Sequence, residues 1–376
     1  MRAGKRLSTG VLVALSFSLL ALFPLSRSVR AAKRKTILTI PEGSVGLLAY
    51  GSLMSLASMG GTKKMRAIEL REVDRVEVTV LVDNYTDLLL MQGNEFVKRP
   101  SVVPPRGFLA EHGFACLIKT VIGSEEHVVL MDVGISGTCL LHNARLLEAD
   151  LGRVEALVLS HGHFDHCGGL AEVVPKLAKG IPVILHPDAL LPRRLNLPAL
   201  NRLAPLPPPE EKTLMDAGMD IRKVREDSTA AAGCLLVLGE IGRLTEFEKG
   251  MPGAEAEIEG RWVKDPFLDD RGVAVKVKGK GLVVVSGCAH AGIINTVRHA
   301  QKVTGTAKIQ AVLGGFHMTG PMMESVIGPT IEEMKGIGPA FVVPTHCTGW
   351  KAIDQFATEM PAQFVLNTVG TTYIFN

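Results

Sequence analysis

The stretch SHGHFDHCGG, residues 160–169, contains three histidines and an aspartate within six positions. It directly follows the apolar run Val154–Leu159, which is short, aliphatic and bounded by turn-forming residues, as buried strands are. Gly168 and Gly169 then open a helical pattern of apolar residues. The polar cluster is therefore predicted on a loop at the carboxyl end of a strand, where α/β folds tend to carry their chemistry.

The spacing within this stretch fits two metal sites. His161 and His163 are two positions apart in an extended segment, so both imidazoles can reach one side and bind one ion. Asp165 and His166 are adjacent, so they diverge and can serve a second ion close by. Neutral imidazole suits zinc, iron or copper, and the carboxylate oxygen makes the second site more favourable for hard cations. The alternative is a surface loop with scattered histidines, in which the aspartate caps the next helix.

Histidines also follow three later strand predictions. The runs and their histidines are 282–285 before His290, 309–313 before His317, and 341–343 before His346. As a lone residue, His290 would more often be a core or capping histidine. Four successive strand ends carry histidine, however, in a chain that has only 11. Because strands of one sheet share an edge, the sequence predicts that these ends converge on one pocket.

Several polar positions near these motifs have two interpretations. Asp132 ends a predicted strand, and it either caps the helix predicted at 139–151 or holds a metal-binding histidine by a hydrogen bond. Cys288 is either an extra metal ligand or, as we favour, a small buried residue that neighbours the site. The pair Asp269-Asp270 can bind a cation but more often forms a solvated turn. His186, with no second ligand nearby, is interpreted as structural or as a pocket-rim residue.

The amino terminus has the pattern of a secretory signal peptide. Basic residues precede the apolar segment 11–23, which is followed by the small-residue site Val29-Arg30-Ala31. We expect cleavage after residue 31 and export to the periplasm or the medium. The alternative is an uncleaved membrane anchor formed by 11–23, although this segment is short for a spanning helix.

Charge and cysteine content limit the class of partner. The chain has 41 basic and 38 acidic residues, a net charge of +3, and five of the basic residues lie in the first 31 positions. Removal of those positions leaves 36 basic against 38 acidic residues, a net of −2, which gives no basic footprint for nucleic acid. We expect a small-molecule substrate; the oligomeric state stays open. Three of the six cysteines lie in histidine-containing motifs, and we interpret all six mainly as small buried residues.

The domain organisation is predicted in three parts. Residues 1–31 form the signal peptide or anchor, 32–75 a linker or extension, and 76–376 one large domain. Within the domain, 187–220 is rich in proline, leucine and arginine, including PLPPP at 205–209. A segment that interrupts helices this often is predicted to be a lid or a surface excursion.

The recurring strand–loop–helix units, without a Rossmann-type glycine fingerprint, imply a layered α/β architecture. The H-x-H-x-D-H pattern at 161–166 resembles the metallo-β-lactamase superfamily, and the resemblance implies an αββα sandwich of two packed mixed β-sheets with helices on the outer faces. Several motifs resemble one branch, often labelled after a 7,8-dihydropterin-6-yl-methyl-4-(β-D-ribofuranosyl)aminobenzene 5′-phosphate synthase. They are LVDN (81–84), HGHFDHCGGL (161–170), GEIGR (239–243), Asp269-Asp270, SGCAHAGIINT (286–296), LGGFHM (313–318) and PTHCTG (344–349). The resemblance runs from about Val76 to the carboxyl terminus.

The resemblance implies two divalent metal ions, for which we expect zinc, with manganese or iron as alternatives. The implied ligands are His161, His163 and His290 for one ion, and Asp165, His166 and His346 for the other. His317 is implied to touch the substrate, and Asp132 and Cys288 are predicted to lie directly behind the ligands. Many hydrolases of the superfamily carry a bridging aspartate where this chain has Ser-Gly-Cys-Ala-His, a loop without a carboxylate.

By this resemblance, the protein is expected to be an exported metal-dependent hydrolase. Metal-bound hydroxide would attack an ester, phosphoester, lactone or related bond, with Asp165 orienting it as well as binding metal. His163 argues against oxygen-reducing di-iron relatives, in which an acid commonly stands at this position. Two alternatives stay open: a synthase of the kind that gives the branch its label, against which the signal peptide counts because its precursors are cytoplasmic, and a non-enzymatic metal-binding protein.

Overall fold

The computed structural model describes residues 67–102, 104–197 and 201–376. The predicted signal peptide or anchor and most of the predicted linker 32–75 lie outside these residues. Within the described ranges, no helix combines the length and the apolar character needed to cross a membrane.

Eighteen strands are found in the described part of the chain. They are β1 (Arg75–Val82), β2 (Val97–Lys98), β3 (Ala115–Ile122), β4 (Glu125–Met131), β5 (Val154–Val158), β6 (Pro182–Leu185), β7 (Arg193–Leu197), β8 (Arg202–Leu206), β9 (Asp220–Lys223), β10 (Ser228–Ala230), β11 (Leu235–Val237), β12 (Ala254–Ile258), β13 (Arg261–Lys264), β14 (Gly272–Val277), β15 (Gly281–Ser286), β16 (Ile309–Gly315), β17 (Phe341–Thr345) and β18 (Thr372–Phe375). The strand bounds predicted at 154–159, 282–285, 309–313 and 341–343 agree with β5, β15, β16 and β17 within two residues.

Two large mixed sheets make up the body of the domain. The first has eight strands in the order β2-β18-β1-β3-β4-β5-β6-β9, antiparallel from β1 to β4 and parallel from β4 to β9. The second has six strands in the order β10-β11-β14-β15-β16-β17, of which β15, β16 and β17 are parallel. The carboxyl ends of β5, β15, β16 and β17 are followed by the predicted histidine loops.

The described helices are α1 (Gly137–Leu146), α2 (Phe164–Cys167), α3 (Leu170–Val173), α4 (Glu211–Asp216), α5 (Ile293–Thr304), α6 (Ile327–Ile337) and α7 (Trp350–Glu359). One apolar cluster, which includes Ile118 and Val283, lies between the two sheets. A second joins α5, α6 and α7 to the outer face of the second sheet, and a third joins α1, α3 and α4 to the outer face of the first. The layers are therefore α, β, β, α, as the resemblance implies.

Strand β15 shows how the sequence produces these layers. Val283 and Val285 point into the cluster between the sheets, whereas Leu282 and Val284 point into the cluster under the helices. Because both faces are buried, the strand is an uninterrupted apolar run and does not alternate with polar residues. The apolar run ends at Ser286, which is itself buried, where the chain enters the SGCAH loop.

One helix prediction and one boundary differ from the structure. The helix predicted at 139–151 is α1, and it ends at Leu146 because the chain turns at Glu148, where φ is +55°. Val73, within the predicted linker, is buried; its amide donates to the carbonyl of Lys276 at 2.9 Å. Residues 67–75 therefore pack on the domain.

A third, antiparallel sheet of four strands has the order β13-β12-β7-β8. Its hairpin β7–β8 occupies much of 187–220, where the composition predicted a lid or an excursion. Pro205 lies on β8, an edge strand, where its missing N–H costs no ladder hydrogen bond. A lid function for this hairpin stays a prediction.

Candidate metal centre

The first histidine loop is shorter than predicted. β5 ends at Val158, His161 and His163 lie on the following loop, and α2 begins at Phe164. Asp165 and His166 therefore lie in a helical turn, where the sequence predicted a loop. The two side chains do not diverge as predicted, since Asp165 Oδ2 lies 3.8 Å from His166 Nε2 and the ring of His166 lies 4.3 Å from that of His161.

Three of the predicted ligands form one group. His290 Nε2 lies 3.2 Å from His163 Nδ1, and the rings of His161 and His290 are 4.8 Å apart. Two nitrogens bound to one tetrahedral zinc at about 2.0–2.1 Å would lie about 3.4 Å apart. All three side chains are buried, and His161 Nε2 has no hydrogen-bond partner among the described residues. The spacing fits a shared metal ion.

The other three predicted ligands form a second group. Asp165 Oδ2 lies 3.2 Å from His346 Nε2 and 3.8 Å from His166 Nε2. His346 Nε2 is buried without a hydrogen-bond partner in the described part of the chain. The two groups adjoin, since the rings of His161 and His166 are 4.3 Å apart. The structure thus brings together all six residues, while their binding of metal stays a prediction.

Asp132 and Ser160 fix two of the imidazoles from behind. Asp132 Oδ2 accepts hydrogen bonds from His166 Nδ1 and from Ser160 Oγ, both at 2.7 Å. Because the Ser160 hydroxyl donates there, its oxygen accepts from His161 Nδ1 at 2.9 Å. These hydrogen bonds orient Nε2 of both histidines towards the ligand group, as binding of a metal ion requires. Asp132 does not cap α1, since Ser136 does so.

The loop after β1 holds His346, a role that the sequence analysis missed. Asn84 Oδ1 lies 3.1 Å from His346 Nδ1, and Asp83 Oδ1 accepts from the His346 amide at 2.8 Å. Asn367 donates to the other oxygen of the buried Asp83 at 2.6 Å. The sequence feature that could have indicated this role is the polar pair Asp83-Asn84, which directly follows the buried strand β1.

A buried ion network supports the histidine loop from the side of the third sheet. Arg193, the first residue of β7, donates to Asp265 at 2.7 Å and to Asp269 at 2.8 Å. Asp269 also accepts from the Gly162 amide at 2.9 Å, and Asp270 accepts from the Ala291 amide at 2.8 Å. The prediction of a solvated turn at 269–270 is therefore wrong, because both carboxylates are buried and bind the backbone of metal-site loops.

Three further residues lie next to the ligand groups. The exposed His112, which the sequence analysis did not identify, has Nε2 3.4 Å from Asp165 Oδ2. The ring of His317 lies 4.2 Å from that of His290, and its Nδ1 has no partner among the described residues. Cys288 Sγ lies 3.0 Å from His166 Nε2. His186, in contrast, caps a 3₁₀ turn by accepting from the Asp188 amide, as a structural histidine would.

Burial sets the charge state of the histidines on the first side of the centre. It lowers the pKa of His163 to about 3 and holds the pKa of His161 and His290 well below the ordinary value. These imidazoles are therefore neutral at neutral pH, the form that binds metal ions.

In the second group of ligands, the pKa values of His166 and Asp165 favour the charged forms of these side chains. Burial favours the neutral form of His166, but the carboxylates of Asp132 and Asp165 outweigh it and raise the pKa of His166 to about 9. Burial likewise favours neutral Asp165, but His166 and His346 hold its pKa below the usual range. Asp165 is therefore ionised, as a carboxylate ligand must be.

Comparison with known proteins agrees with this geometry. The model of the metallo-beta-lactamase superfamily matches residues 120–245. The chain is 32% identical over 266 residues to the 7,8-dihydropterin-6-methyl-4-(beta-D-ribofuranosyl)-aminobenzene-5′-phosphate synthase of Methanocaldococcus jannaschii, covering 68% of this chain and 87% of that protein. It is also 32% identical over 255 residues to the uncharacterized protein MJ0448 of the same organism, covering 66% and 89%.

Among solved structures, Tm1679, described as a metal-dependent hydrolase of the β-lactamase superfamily, is similar to this chain with a TM-score of 0.61 at 26% identity. The match covers 80% of this chain and 98% of that one. The chain belongs to the metallo-β-lactamase superfamily. Membership implies binding of divalent metal, and the buried nitrogen and oxygen atoms described above fit such an ion.

Proposed function

We propose that the protein is a metal-dependent hydrolase that binds two divalent ions, zinc being expected and manganese or iron the alternatives. The ligands are His161, His163 and His290 for one ion, and Asp165, His166 and His346 for the other. The observation that carries the proposal is their convergence, with Nε2 of His161 and of His346 buried and unpartnered within the described residues. Buried polar atoms without partners are costly, and a bound metal ion removes that cost.

The chain's own residues position this centre and keep bulk water from its ligands. When bound, the divalent ions supply a nucleophile from water at neutral pH and stabilise negative charge that develops on the substrate. Asp132 and Ser160 hold Nδ1 of His166 and of His161, so that Nε2 of each ring faces the ligand group. The ionised Asp165 orients the attacking group, and His112 lies on its solvent side. The bond attacked belongs to an ester, phosphoester, lactone or related group of a small molecule.

We propose that a cleft of about 220 Å³ beside His346 binds the organic part of the substrate. Tyr85 and Trp350 contribute aromatic side chains to its wall, and the Trp350 side chain is 73% exposed. Aromatic faces bind flat or apolar groups through burial and stacking. On the other side of the centre, His317 is proposed to contact the substrate next to His290.

The proposal is tested with purified, metal-loaded protein and a panel of chromogenic phosphodiester, lactone and β-lactam substrates. We expect turnover of at least one class, and a loss of more than about 100-fold in His163→Ala, because removal of a ligand exceeds the 10- to 100-fold effect of its supporting residues. His127→Ala is the matched control, since His127 binds Glu125 and Glu155 outside the ligand groups. Absence of turnover by the loaded protein across the panel would reject the hydrolase and leave a synthase or a non-enzymatic metal-binding protein.

A second candidate is a synthase reaction like that of the M. jannaschii relative, favoured by 32% identity over 87% of that protein. The protein would be incubated with a ribofuranosyl-aminobenzene 5′-phosphate and with a dihydropterin whose 6-methyl carbon carries a phosphate-ester leaving group. The coupled product and the released leaving group would be sought by mass spectrometry. A coupled product without hydrolysis of the panel would assign the synthase. Hydrolysis without the coupled product would assign the hydrolase.

Export is a separate proposal that rests on the sequence pattern of residues 1–31. We expect fractionation to find the protein in the periplasm or the medium, with a mature chain that begins at Ala32. A full-length chain in the membrane fraction would instead support the anchor at 11–23. A full-length chain in the cytoplasm would contradict export and favour the synthase.

A further inference from the structure

The thiol of Cys288 lies between the two groups of metal ligands. Its Sγ lies within 4.8 Å of the ligand atoms of Asp165, His166 and His346, and also within that distance of those of His161 and His290. The distance from Sγ to His166 Nε2 is 3.0 Å. The side chain is 2% exposed, so no solvent path competes for the sulfur.

The backbone holds this sulfur in place from two directions. A Cβ at Gly287 would lie 2.1 Å from Ser160 Oγ. The segment after β15 that contains Cys288 therefore packs directly against the loop that follows β5. A Cβ at Gly315 would lie 3.3 Å from the Cα of Cys288 on the other side. Two glycines thus allow the close approach that brings Cys288 between the loops.

The surrounding nitrogens point to a metal and not to a simple hydrogen-bonded thiol. A thiol has one proton, which can satisfy one acceptor. His161 Nε2 and His346 Nε2 are both buried and have no hydrogen-bond partner within the described ranges, yet each lies within 4.8 Å of the sulfur. A sulfur that faces several unpartnered nitrogens fits the ligand set of metal ions, to which thiolate is a strong ligand.

We propose that the Cys288 thiolate is a ligand shared by the two metal ions of the proposed hydrolase. The inference rests on the metal centre of that proposed function. Binding replaces the S–H bond by sulfur–metal bonds, and the thiol proton leaves to solvent. A shared sulfur supplies the protein bridge for which the SGCAH loop has no carboxylate. It also makes the site soft, so zinc, cobalt or iron is retained in preference to magnesium or calcium.

Cys347 provides a matched control. It is buried like Cys288 and lies close to it, and its Sγ lies 3.6 Å from the Cys288 carbonyl oxygen. It clusters with His317 and Cys288, but it belongs to neither group that contains the histidines of the 161–166 loop. Replacement of Cys347 therefore removes a neighbouring thiol and leaves the proposed ligand.

The test uses cobalt in place of the native metal, because thiolate bound to cobalt gives an intense near-ultraviolet charge-transfer band. We expect the band to grow with both the first and the second equivalent of cobalt in the wild-type protein and in Cys347→Ser. In Cys288→Ser we expect the band to vanish, with the visible cobalt bands retained and the metal affinity reduced by at least about tenfold. A band that saturates at one equivalent would overturn the shared ligand, and an unchanged spectrum in Cys288→Ser would overturn the ligand altogether.

X-ray absorption of the wild-type zinc protein gives a second measurement that does not depend on the folding of a variant. A sulfur neighbour at about 2.3 Å is expected, and a shell of only nitrogen and oxygen would contradict the proposal. The two proposals fail separately. A sulfur shell without turnover of any substrate rejects the hydrolase and keeps the ligand, whereas turnover without a sulfur shell does the reverse.

Discussion

Several residues of the centre adopt a backbone conformation that L-residues seldom use. Asp132, Ala289, His317 and His346 all have positive φ, between +46° and +58°. Non-glycine residues in this region cost roughly 1–3 kcal/mol each, and they persist where surrounding contacts fix them. Here the contacts are the carboxylate and amide groups that bind the ligand residues. Part of the folding free energy therefore offsets the unfavourable backbone conformation that orients the ligand side chains.

The contact from Asp132 to His166 leads to the first prediction. Asp132→Asn keeps the shape of the side chain but replaces one acceptor oxygen by an amide donor. It therefore loses either the bond from the Ser160 amide to Oδ1 or the two bonds to Oδ2, from Ser160 Oγ and His166 Nδ1. We expect metal affinity to fall by about 10- to 100-fold, measured by competition with a chromophoric chelator. Asp87→Asn, at a carboxylate that binds Tyr85 and the Leu89 amide, is the control. Equal affinities in the two variants would show that Asp132 does not support the centre.

The second prediction concerns the close approach at Gly287. In Gly287→Ala the new methyl would lie 2.1 Å from Ser160 Oγ and 3.1 Å from Asp132 Oδ2, so one loop must move. We expect a loss of about 1–3 kcal/mol in the free energy of unfolding, measured in urea, together with weaker metal binding. Gly328→Ala in α6 is the control, because its methyl would meet no described atom within 4 Å. If both variants bound metal like the wild type, the packing of these loops would not control the site.

At the scale of elements, the third sheet is connected to the metal loop by one side chain. Arg193 begins β7, and its guanidinium reaches Asp265 and Asp269, while Asp269 in turn binds the Gly162 amide. All three charged side chains are buried. A displacement of the β7–β8 hairpin would therefore be transmitted to the loop that carries His161.

The neighbouring arginines of β7 give the third prediction. In Arg193→Met two buried carboxylates lose their cation, and we expect a loss of about 3–5 kcal/mol in the free energy of unfolding. Arg194 binds the partly exposed Glu255 and lies over the Trp262 ring at 4.1 Å. Arg194→Met should therefore cost only about 1 kcal/mol. Urea unfolding of the two variants makes the comparison, and equal losses would contradict a structural role for the buried network.

The elements differ in how far the sequence could predict them. Four strands, β5, β15, β16 and β17, were predictable because each is a short apolar run followed by a histidine loop. The expectation that they share one sheet edge is wrong, since β5 belongs to the first sheet and the other three to the second. Their loops still meet because the two sheets pack face to face. Local sequence could not predict that Asp269 is buried, because its partners Arg193 and Gly162 lie 76 and 107 positions away. The same holds for Asn84, whose partner His346 is 262 positions away. Contacts between distant segments leave no local pattern in one sequence.

At the scale of the whole molecule, the proposed metal ions join the two halves of the sandwich. The 161–166 loop follows β5 of the first sheet, while His290 and His346 follow β15 and β17 of the second. The apolar cluster between the sheets holds them face to face along their length. Each ion would have ligands from both sheets, so metal binding should stabilise the pairing of the two sheets at this edge.

The last prediction follows from that arrangement. A ligand that binds only the folded state stabilises it by about 2.7 kcal/mol at a concentration 100 times its Kd, so zinc should raise the Tm of chelator-treated protein by several degrees. His127→Ala should keep the full response, whereas His290→Ala, which removes one ligand from the loop after β15, should lose a large part of it. Hydrogen exchange should show the added protection at the carboxyl ends of β5, β15 and β17 and not in β12 or β13. A Tm that zinc does not change, or protection spread evenly over all three sheets, would show that the ions do not join the two sheets at this edge.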